Sequence, residues 1–203
     1  MALSTYAELL ASIAGWLNRD DLMSRIPDFV TLAEAKLNAR VMHRNMQTLA
    51  TISISGETYT LPNAFAGVVS LRINTSGYER IEYRSEEQFD QLPVSTSGTP
   101  RYYTIAGGSM VFWPVPGDAV AARLRYRTRL TALSDTNPTN WLLTAYPHAY
   151  LYGSLMEAAP YLMSDERVNV WGPLFAEAIS DIKQDGARQS EGAVMQTVSG
   201  VAD

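Results

Sequence analysis

The stretch 138–162 constrains the fold more than any other part of the chain, because from Tyr146 onward it is apolar or aromatic on nearly every helical face. A helix that is hydrophobic all round is either buried in a protein core or spans a membrane. Glu157 and Pro160 interrupt this one, and it is too short to cross a bilayer. With Pro147 in its first turn and Pro160 at its end, it is predicted to be the core helix of a single soluble domain.

Composition and charge exclude several classes of function. With 203 residues and 46% hydrophobic content, the chain can bury one sizeable core. Its net charge of −5 argues against a protein that coats DNA, which needs a clustered basic surface. Cysteine is absent and only His43 and His148 occur, so no disulfide, metal site or cofactor is expected. The N-terminal sequence has no signal-peptide pattern, so the chain is expected in the cytoplasm where it is made, without membrane association.

Two amphipathic helices are predicted at the N-terminus. The first follows a capping box formed by Thr5 and Glu8 and runs to about Leu17. The second begins near Pro27, and its apolar residues are expected to point inward: Phe29, Val30, Ala33, Leu37 and Val41. Its polar residues are expected to point mostly outward: Glu34, Lys36, Asn38 and Arg40. Neither helix can bury its apolar stripe alone, so both are expected to dock on the core helix or on another subunit.

From about Gln47 the hydrophobic period changes from 3.6 to 2, which predicts a series of strands. A turn at Gly56-Glu57 is expected to lead from the first strand into a returning strand. The predicted strands cover residues 47–55, 58–61, 68–73, 78–83, 101–105, 110–113 and 120–130. A capped helical turn is predicted at 85–89. Residues 47–132 are therefore interpreted as an antiparallel β-module, a small sandwich or open barrel, inserted between helices.

The C-terminal part is predicted to contain one more helix and a tail. The helix is expected to begin at the acidic turn 164–166, and Gly172-Pro173 should kink or restart it. Residues beyond 185 are small and polar without a sustained period, which predicts a flexible tail. The predicted fold class is α+β, a helical bundle with an inserted antiparallel β-module. The bundle is predicted to comprise residues 1–46 and 133–185, the β-module residues 47–132, and the tail residues 186–203.

The most distinctive local feature is a row of arginines at alternate positions of the last predicted strand: Arg123, Arg125, Arg127 and Arg129. Alternate residues of a strand point to one face, so the four guanidinium groups form a line. Three interpretations stay open. The row forms a solvated face paired with cross-strand carboxylates, for which the candidates are Glu79, Glu82, Glu86 and Asp90. Alternatively, it contacts a neighbouring subunit's carboxylates, or the phosphates of passing nucleic acid.

Other candidate groups are interpreted as structural. Two aromatic pairs, Tyr102-Tyr103 and Phe112-Trp113, lie on adjacent predicted strands. In each pair, one residue is expected to pack in the core and the other to cover a neighbouring residue. His148 is interpreted as a satisfied core or cap group. The chain has neither a phosphate-binding glycine loop nor a Gly-x-Ser-x-Gly motif, so no catalytic residue is predicted.

Segments spread almost from end to end carry a resemblance to one family. They are YAELLASIAGWLNRDDL with IPDFVTLAEAKLNA, LPNAF, GTPRYYTIAGG, ALSDTNPTNWLLTAYPHAYLYGSLMEAAPYL and DERVNVW. In this order they resemble the head-to-tail adaptor proteins of tailed bacteriophages, also called connector or head-completion proteins. The match weakens at Gly172-Pro173 and over the tail.

The resemblance implies a structural part of the virion that is assembled in the host cytoplasm. Many copies, usually twelve, would form a ring beneath the portal protein, extend the DNA channel and present a platform to tail proteins of the nozzle, tube or tail-terminator type. Packaged DNA would pass through without sequence-specific binding. The tail is expected to order on the portal through four residues: Arg188, Val194, Met195 and Val198.

Two rival functions remain beside the structural adaptor. One is a connector-like protein with peptidoglycan hydrolase activity, for which Glu8, Glu86 and Glu157 are acidic residues to test. The other is a nucleic-acid-binding module that uses the arginine row, which the net negative charge disfavours.

Overall fold

A computed structural model of the chain describes residues 3–73, 79–94, 97–162 and 166–198. The fold is α+β, as predicted, and divides into two compact units. The helical unit comprises the chain up to Met46 together with the chain from Leu130 onward. The β unit comprises Gln47–Arg129.

The helices within the described residues are α1 (Tyr6–Leu17), α2 (Ile26–Arg40), α3 (Glu86–Asp90), α4 (Trp141–Ala145), α5 (Pro147–Ala158) and α6 (Val168–Val198). The strands are β1 (Gln47–Ile54), β2 (Thr58–Thr60), β3 (Phe65–Ile73), β4 (Glu82–Tyr83), β5 (Tyr102–Ala106), β6 (Ser109–Trp113) and β7 (Val120–Thr128). Apart from α3, the helices lie in the helical unit.

The start of α1 has the predicted capping box. The Thr5 hydroxyl accepts a hydrogen bond from the Glu8 backbone N–H at 3.3 Å, and Glu8 Oε2 accepts one from the Thr5 N–H at 3.1 Å. These bonds satisfy backbone donors that have no partner inside the helix. At α2, Pro27 occupies the first turn, as predicted, where a missing N–H costs nothing.

Helix α5 is the predicted core helix, and it contacts α1, α2 and α6. Pro147 is in its first turn, and a 3₁₀ turn, Ala159–Tyr161, ends it at Pro160. Seven of its twelve residues are buried, and they cover most of its circumference: Ala149, Tyr150, Leu151, Gly153, Ser154, Leu155 and Ala158. Burying a side chain such as Leu155 stabilises the fold by about 2 kcal/mol. The prediction of a centrally buried helix is therefore confirmed.

The outward position predicted for Glu34 is wrong. Glu34 is only 7% exposed. It is held inside because its carboxylate accepts hydrogen bonds from the Leu133 N–H and the Tyr150 hydroxyl. Both partners come from distant parts of the chain, so the helical spacing within α2 contained no signal for them.

The interruption predicted at Gly172-Pro173 is not found, since α6 is one helix with Pro173 inside it. Pro173 removes only the bond to the carbonyl of Asn169, an exposed residue in the first turn. The predicted acidic start at 164–166 falls mostly outside the described residues.

The tail predicted from residue 186 is also different, because α6 continues to Val198. Residues 186–198 include several strong helix formers, such as Ala, Arg, Gln, Glu and Met, and these favour helix even without an amphipathic pattern. Only 199–203 of the predicted tail lie outside the described residues.

The β unit contains two sheets around one core. The first has the order β1-β7-β3 and is antiparallel, and the second has the order β2-β6-β5-β4. Ile52, Leu71 and Leu124 of the first sheet share a hydrophobic cluster with Met110 and Phe112 of the second. Of the two predicted arrangements, a small sandwich and an open barrel, this shared core corresponds to the sandwich.

Three details of the strand prediction are corrected by the pairing. Strand β2 does not return along β1 but pairs with β6 in the other sheet, because an alternating pattern does not specify the partner strand. The pair β4 and β5 is parallel, since α3 and the following loop form a crossover between them. The strand predicted at 78–83 is reduced to β4 and a bridge at Arg80, and Tyr78 lies outside the described residues.

That strand is split because the chain changes sheets there. The Ile81 N–H donates to the carbonyl of Leu71 in the first sheet, and the Glu82 N–H donates to the carbonyl of Arg101 beside the second. The Tyr103 and Phe112 side chains are buried, whereas Tyr102 and Trp113 stack on each other outside with ring centroids 5.9 Å apart. The division predicted for the aromatic pairs is therefore confirmed.

Candidate interaction surfaces

The arginine row lies on the central strand of the first sheet. Along β7, Arg125 and Arg127 are exposed and Arg123 is half-buried, while Leu124 and Tyr126 face the core. The predicted alternation is therefore confirmed over the strand. Arg129 is exposed one residue beyond β7, where its N–H donates to the carbonyl of Ala64 at 2.8 Å.

The predicted cross-strand carboxylates do not lie opposite the row. The Cα partners on β1 and β3 are Thr51 and Arg72 for Arg123, Leu49 and Ser70 for Arg125, and Gln47 and Gly67 for Arg127. Of the four candidate acids, Glu82 has Oε2 3.7 Å from Arg84 Nη2, and Glu86 and Asp90 are on α3. None of the four acids is therefore a Cα partner of the row on β1 or β3.

Arg72 joins the row at a pocket on the outer face of the first sheet. The pocket has a volume of about 320 Å³ and is lined by Leu49, Ser70, Arg72, Arg123 and Arg125. Sequence reasoning missed Arg72 because its position beside Arg123 depends on the register between β3 and β7. The outward alternation of Ser70 and Arg72 was the only available signal.

The predicted portal-binding residues lie in the C-terminal part of α6. Arg188 is exposed, and Val194, Met195 and Val198 belong to the last turns of the helix. The preceding turn is fixed by a close approach at Gly186. A Cβ atom there would lie 3.2 Å from His43 Cδ2 and 3.3 Å from the Met42 carbonyl oxygen.

Polar contacts fix the same turn of α6. Asp185 Oδ2 accepts hydrogen bonds from the Tyr146 hydroxyl at 2.6 Å and from Gln189 Nε2 at 2.8 Å. His43 is buried, stacks on Trp141 with ring centroids 4.8 Å apart, and places Nε2 3.5 Å from the same oxygen. We call Tyr146, Asp185, Gln189 and His43 the α6 anchor.

The hydrogen bonds of the α6 anchor determine which of its groups donate and which accept. The Asn45 N–H donates to His43 Nδ1 at 3.2 Å, which places the proton of the neutral ring on Nε2, toward Asp185. The hydrogen bond from Tyr146 lowers the pKa of Asp185, and His43 contributes in the same direction. Burial and the bond to Asp185 raise the pKa of Tyr146 to about 12. Both directions favour a carboxylate that accepts from a neutral phenol.

A second polar network is buried behind α2. Glu34 Oε1 accepts from the Leu133 N–H at 2.8 Å and from the Tyr150 hydroxyl at 3.2 Å, and Asn140 Nδ2 donates to the Tyr150 oxygen at 2.6 Å. Burial raises the pKa of Glu34 and of Tyr150. The Asn38 side chain accepts from the Leu130 N–H at 2.8 Å. The network thus satisfies backbone donors of the segment that follows β7.

Two of the three acids considered for a hydrolase already make structural contacts. Glu8 completes the capping box, and Glu157 pairs with Lys36. Glu86 is exposed in the first turn of α3. Within the described ranges, no three His, Cys, Asp or Glu residues are grouped closely enough to hold a metal ion. No helix among those ranges is long and apolar enough to cross a membrane.

The chain matches one protein family over nearly its whole length. Residues 4–197 fit the family model described as SU10 adaptor protein. A comparison with curated proteins gives no match. The matched range includes both compact units, the arginine row and α6 almost to its end.

Proposed function

Because the chain belongs to the SU10 adaptor protein family of bacteriophage head-to-tail adaptors, we propose that it forms a ring between the portal and the tail. The ring extends the DNA channel and docks tail proteins. The match over residues 4–197 carries this proposal, since it spans both units and most of α6. The chain is a structural component of the virion with no catalytic activity, and it reaches the virion from the host cytoplasm.

The C-terminal end of α6 is the portal-binding element in this proposal. Arg188 is exposed directly after the α6 anchor, and Val194, Met195 and Val198 follow it in the same helix. A helix held firmly at 185–189 presents its last turns to a partner with little ordering entropy left to lose. Repetition around a ring of twelve copies strengthens individually weak contacts.

Portal binding tests the proposal directly. The full chain and a chain ending at Gln189 are each passed over immobilised portal protein from the same phage genome. The shortened chain keeps the anchor contacts, so it is expected to stay folded and to lose portal binding. A chain lacking only 199–203 is the control and should bind like the full chain. Unchanged binding by the chain ending at Gln189 would refute the role of the helix end.

The hydrolase alternative is tested by zymography on cell-wall substrate. We expect no lytic band from the purified chain, because Glu8 and Glu157 are committed to a helix cap and an ion pair. A band that disappears in Glu8→Gln, Glu86→Gln or Glu157→Gln alone would establish the enzyme instead.

The nucleic-acid alternative is tested by duplex binding at low salt. Phosphate contacts by the arginine row would give an affinity that falls steeply with salt concentration. For a chain of net charge −5 we expect no measurable affinity outside the assembled channel.

A further inference from the structure

The pocket on the first sheet brings three guanidinium groups together. Arg72 and Arg123 are direct partners across β3 and β7, and Arg125 follows on the same face of β7. Together they give the pocket a cationic lining on the outer face of the first sheet.

The pocket has features that suit a carboxylate. Arginine presents planar pairs of N–H donors that match the two oxygens of a carboxylate. Leu49, which is 50% exposed, and Ser70 form the remaining lining beside Arg125. An acidic side chain would therefore meet charged donors together with an apolar contact for its methylene groups.

A complementary surface lies elsewhere on the same β unit. Helix α3 carries the exposed acids Glu86, Glu87 and Asp90, and it packs along β5 in the other sheet. One β unit thus has a cationic pocket on one sheet and an acidic helix beside the other. Two different complementary surfaces on one chain are what a head-to-tail contact between identical subunits requires.

We propose that the pocket formed by Arg72, Arg123 and Arg125 binds α3 carboxylates of a second copy of this chain. The assignment rests on the proposed ring and names the contact between its subunits. Exposed ion pairs are individually weak and are screened by salt. The contact therefore forms when the portal holds neighbouring copies together, and it is repeated around the ring.

Engineered cysteines test the contact without background, because the chain has no cysteine. One variant carries Ser70→Cys in the pocket and Gln88→Cys on α3. It is assembled on the portal and oxidised, and we expect a ladder of disulfide-linked chains on a non-reducing gel. The control pairs Ser70→Cys with Ser180→Cys on the exposed side of α6 and should give no ladder. An equal ladder in the control, or none in the test variant, would overturn the proposal.

Charge exchange provides an independent measurement. Arg125→Glu or Glu87→Arg alone should reduce the amount of ring-sized complex with portal, and the two together should restore it. A loss with Arg125→Glu that Glu87→Arg does not rescue would point to another anion, such as DNA phosphate, and would reject this contact. Wild-type chains that fail to assemble on portal would overturn the proposed function as well. If the wild type assembles and both charge-reversal variants assemble equally well, only the pocket assignment is overturned.

Discussion

Gly153 of α5 faces Phe175 of α6 so closely that a Cβ atom at position 153 would lie 2.9 Å from Phe175 Cε2. The same atom would lie 3.2 Å from Ala33 Cβ on α2. The absence of a side chain at Gly153 therefore lets α2 and α6 both pack against the core helix.

Gly153→Ala is expected to destabilise the protein by about 1–3 kcal/mol, because the extra methyl group overpacks the core. The matched control is Gly15→Ala in α1, where a Cβ atom would have nothing within 4 Å. That change should stabilise the helix by up to about 1 kcal/mol, since alanine favours helix over glycine. Chemical denaturation measures both, and equal effects of the two substitutions would contradict the close approach at Gly153.

Glu34→Ala is expected to cost about 1–3 kcal/mol, because it leaves the buried Leu133 N–H without its acceptor. Glu34→Gln keeps a carbonyl oxygen for the Leu133 N–H and the Tyr150 hydroxyl, so it should be much milder. Equal losses for the two variants, measured by urea denaturation, would show that the acceptor is not what stabilises this site.

Glu34 should also affect how stability depends on pH. Burial raises its pKa in the folded state, so the folded chain binds a proton more readily than the unfolded chain does. Its contribution is greatest below the unfolded pKa of about 4.3 and is lost as pH rises through the folded pKa. Wild type should therefore lose stability relative to Glu34→Gln as pH is raised from 4 to 7.

Asp185 should have the opposite dependence, because the Tyr146 bond lowers its pKa in the folded state. Its contribution is present above the unfolded pKa of about 3.9 and is lost as pH falls through the folded pKa. The stability difference between wild type and Asp185→Asn should therefore shrink below pH 4. A difference that is constant from pH 7 to pH 3 would contradict the α6 anchor.

Arg125→Glu or Arg127→Glu is expected to leave the isolated chain folded, since both residues are exposed on the outer face of the first sheet. Assembly with portal should be impaired. Thermal unfolding followed by circular dichroism separates the two effects. Unfolding of the isolated chain by either substitution would place the row in a contact network within one chain.

Local chemistry made part of this fold predictable. The capping box at Thr5 and Glu8 and the proline positions at 27, 147 and 160 identified the ends of helices, because they depend only on neighbouring residues. The alternation along β7 likewise predicted which side of the strand faces the core. These features need no knowledge of distant partners.

The remaining features depend on contacts between distant parts of the chain. Glu34 is buried because Leu133 and Tyr150 reach it, and Arg72 joins the arginine row only through the register of β3 with β7. The helical continuation past Gly186 is different, because it has local helix formers but lacks the amphipathic period on which the prediction relied. The family match supports the adaptor function, whereas the pocket required the paired strands to be seen.

The most direct test of the adaptor ring is the mass of the particles that the purified chain forms, alone and with portal from the same phage genome. Mass photometry should find the chain alone as a monomer or small oligomer. With portal, the particle should gain the mass of twelve chains of 22.4 kDa each. A chain that stays small and adds no mass to the portal would contradict the proposed function.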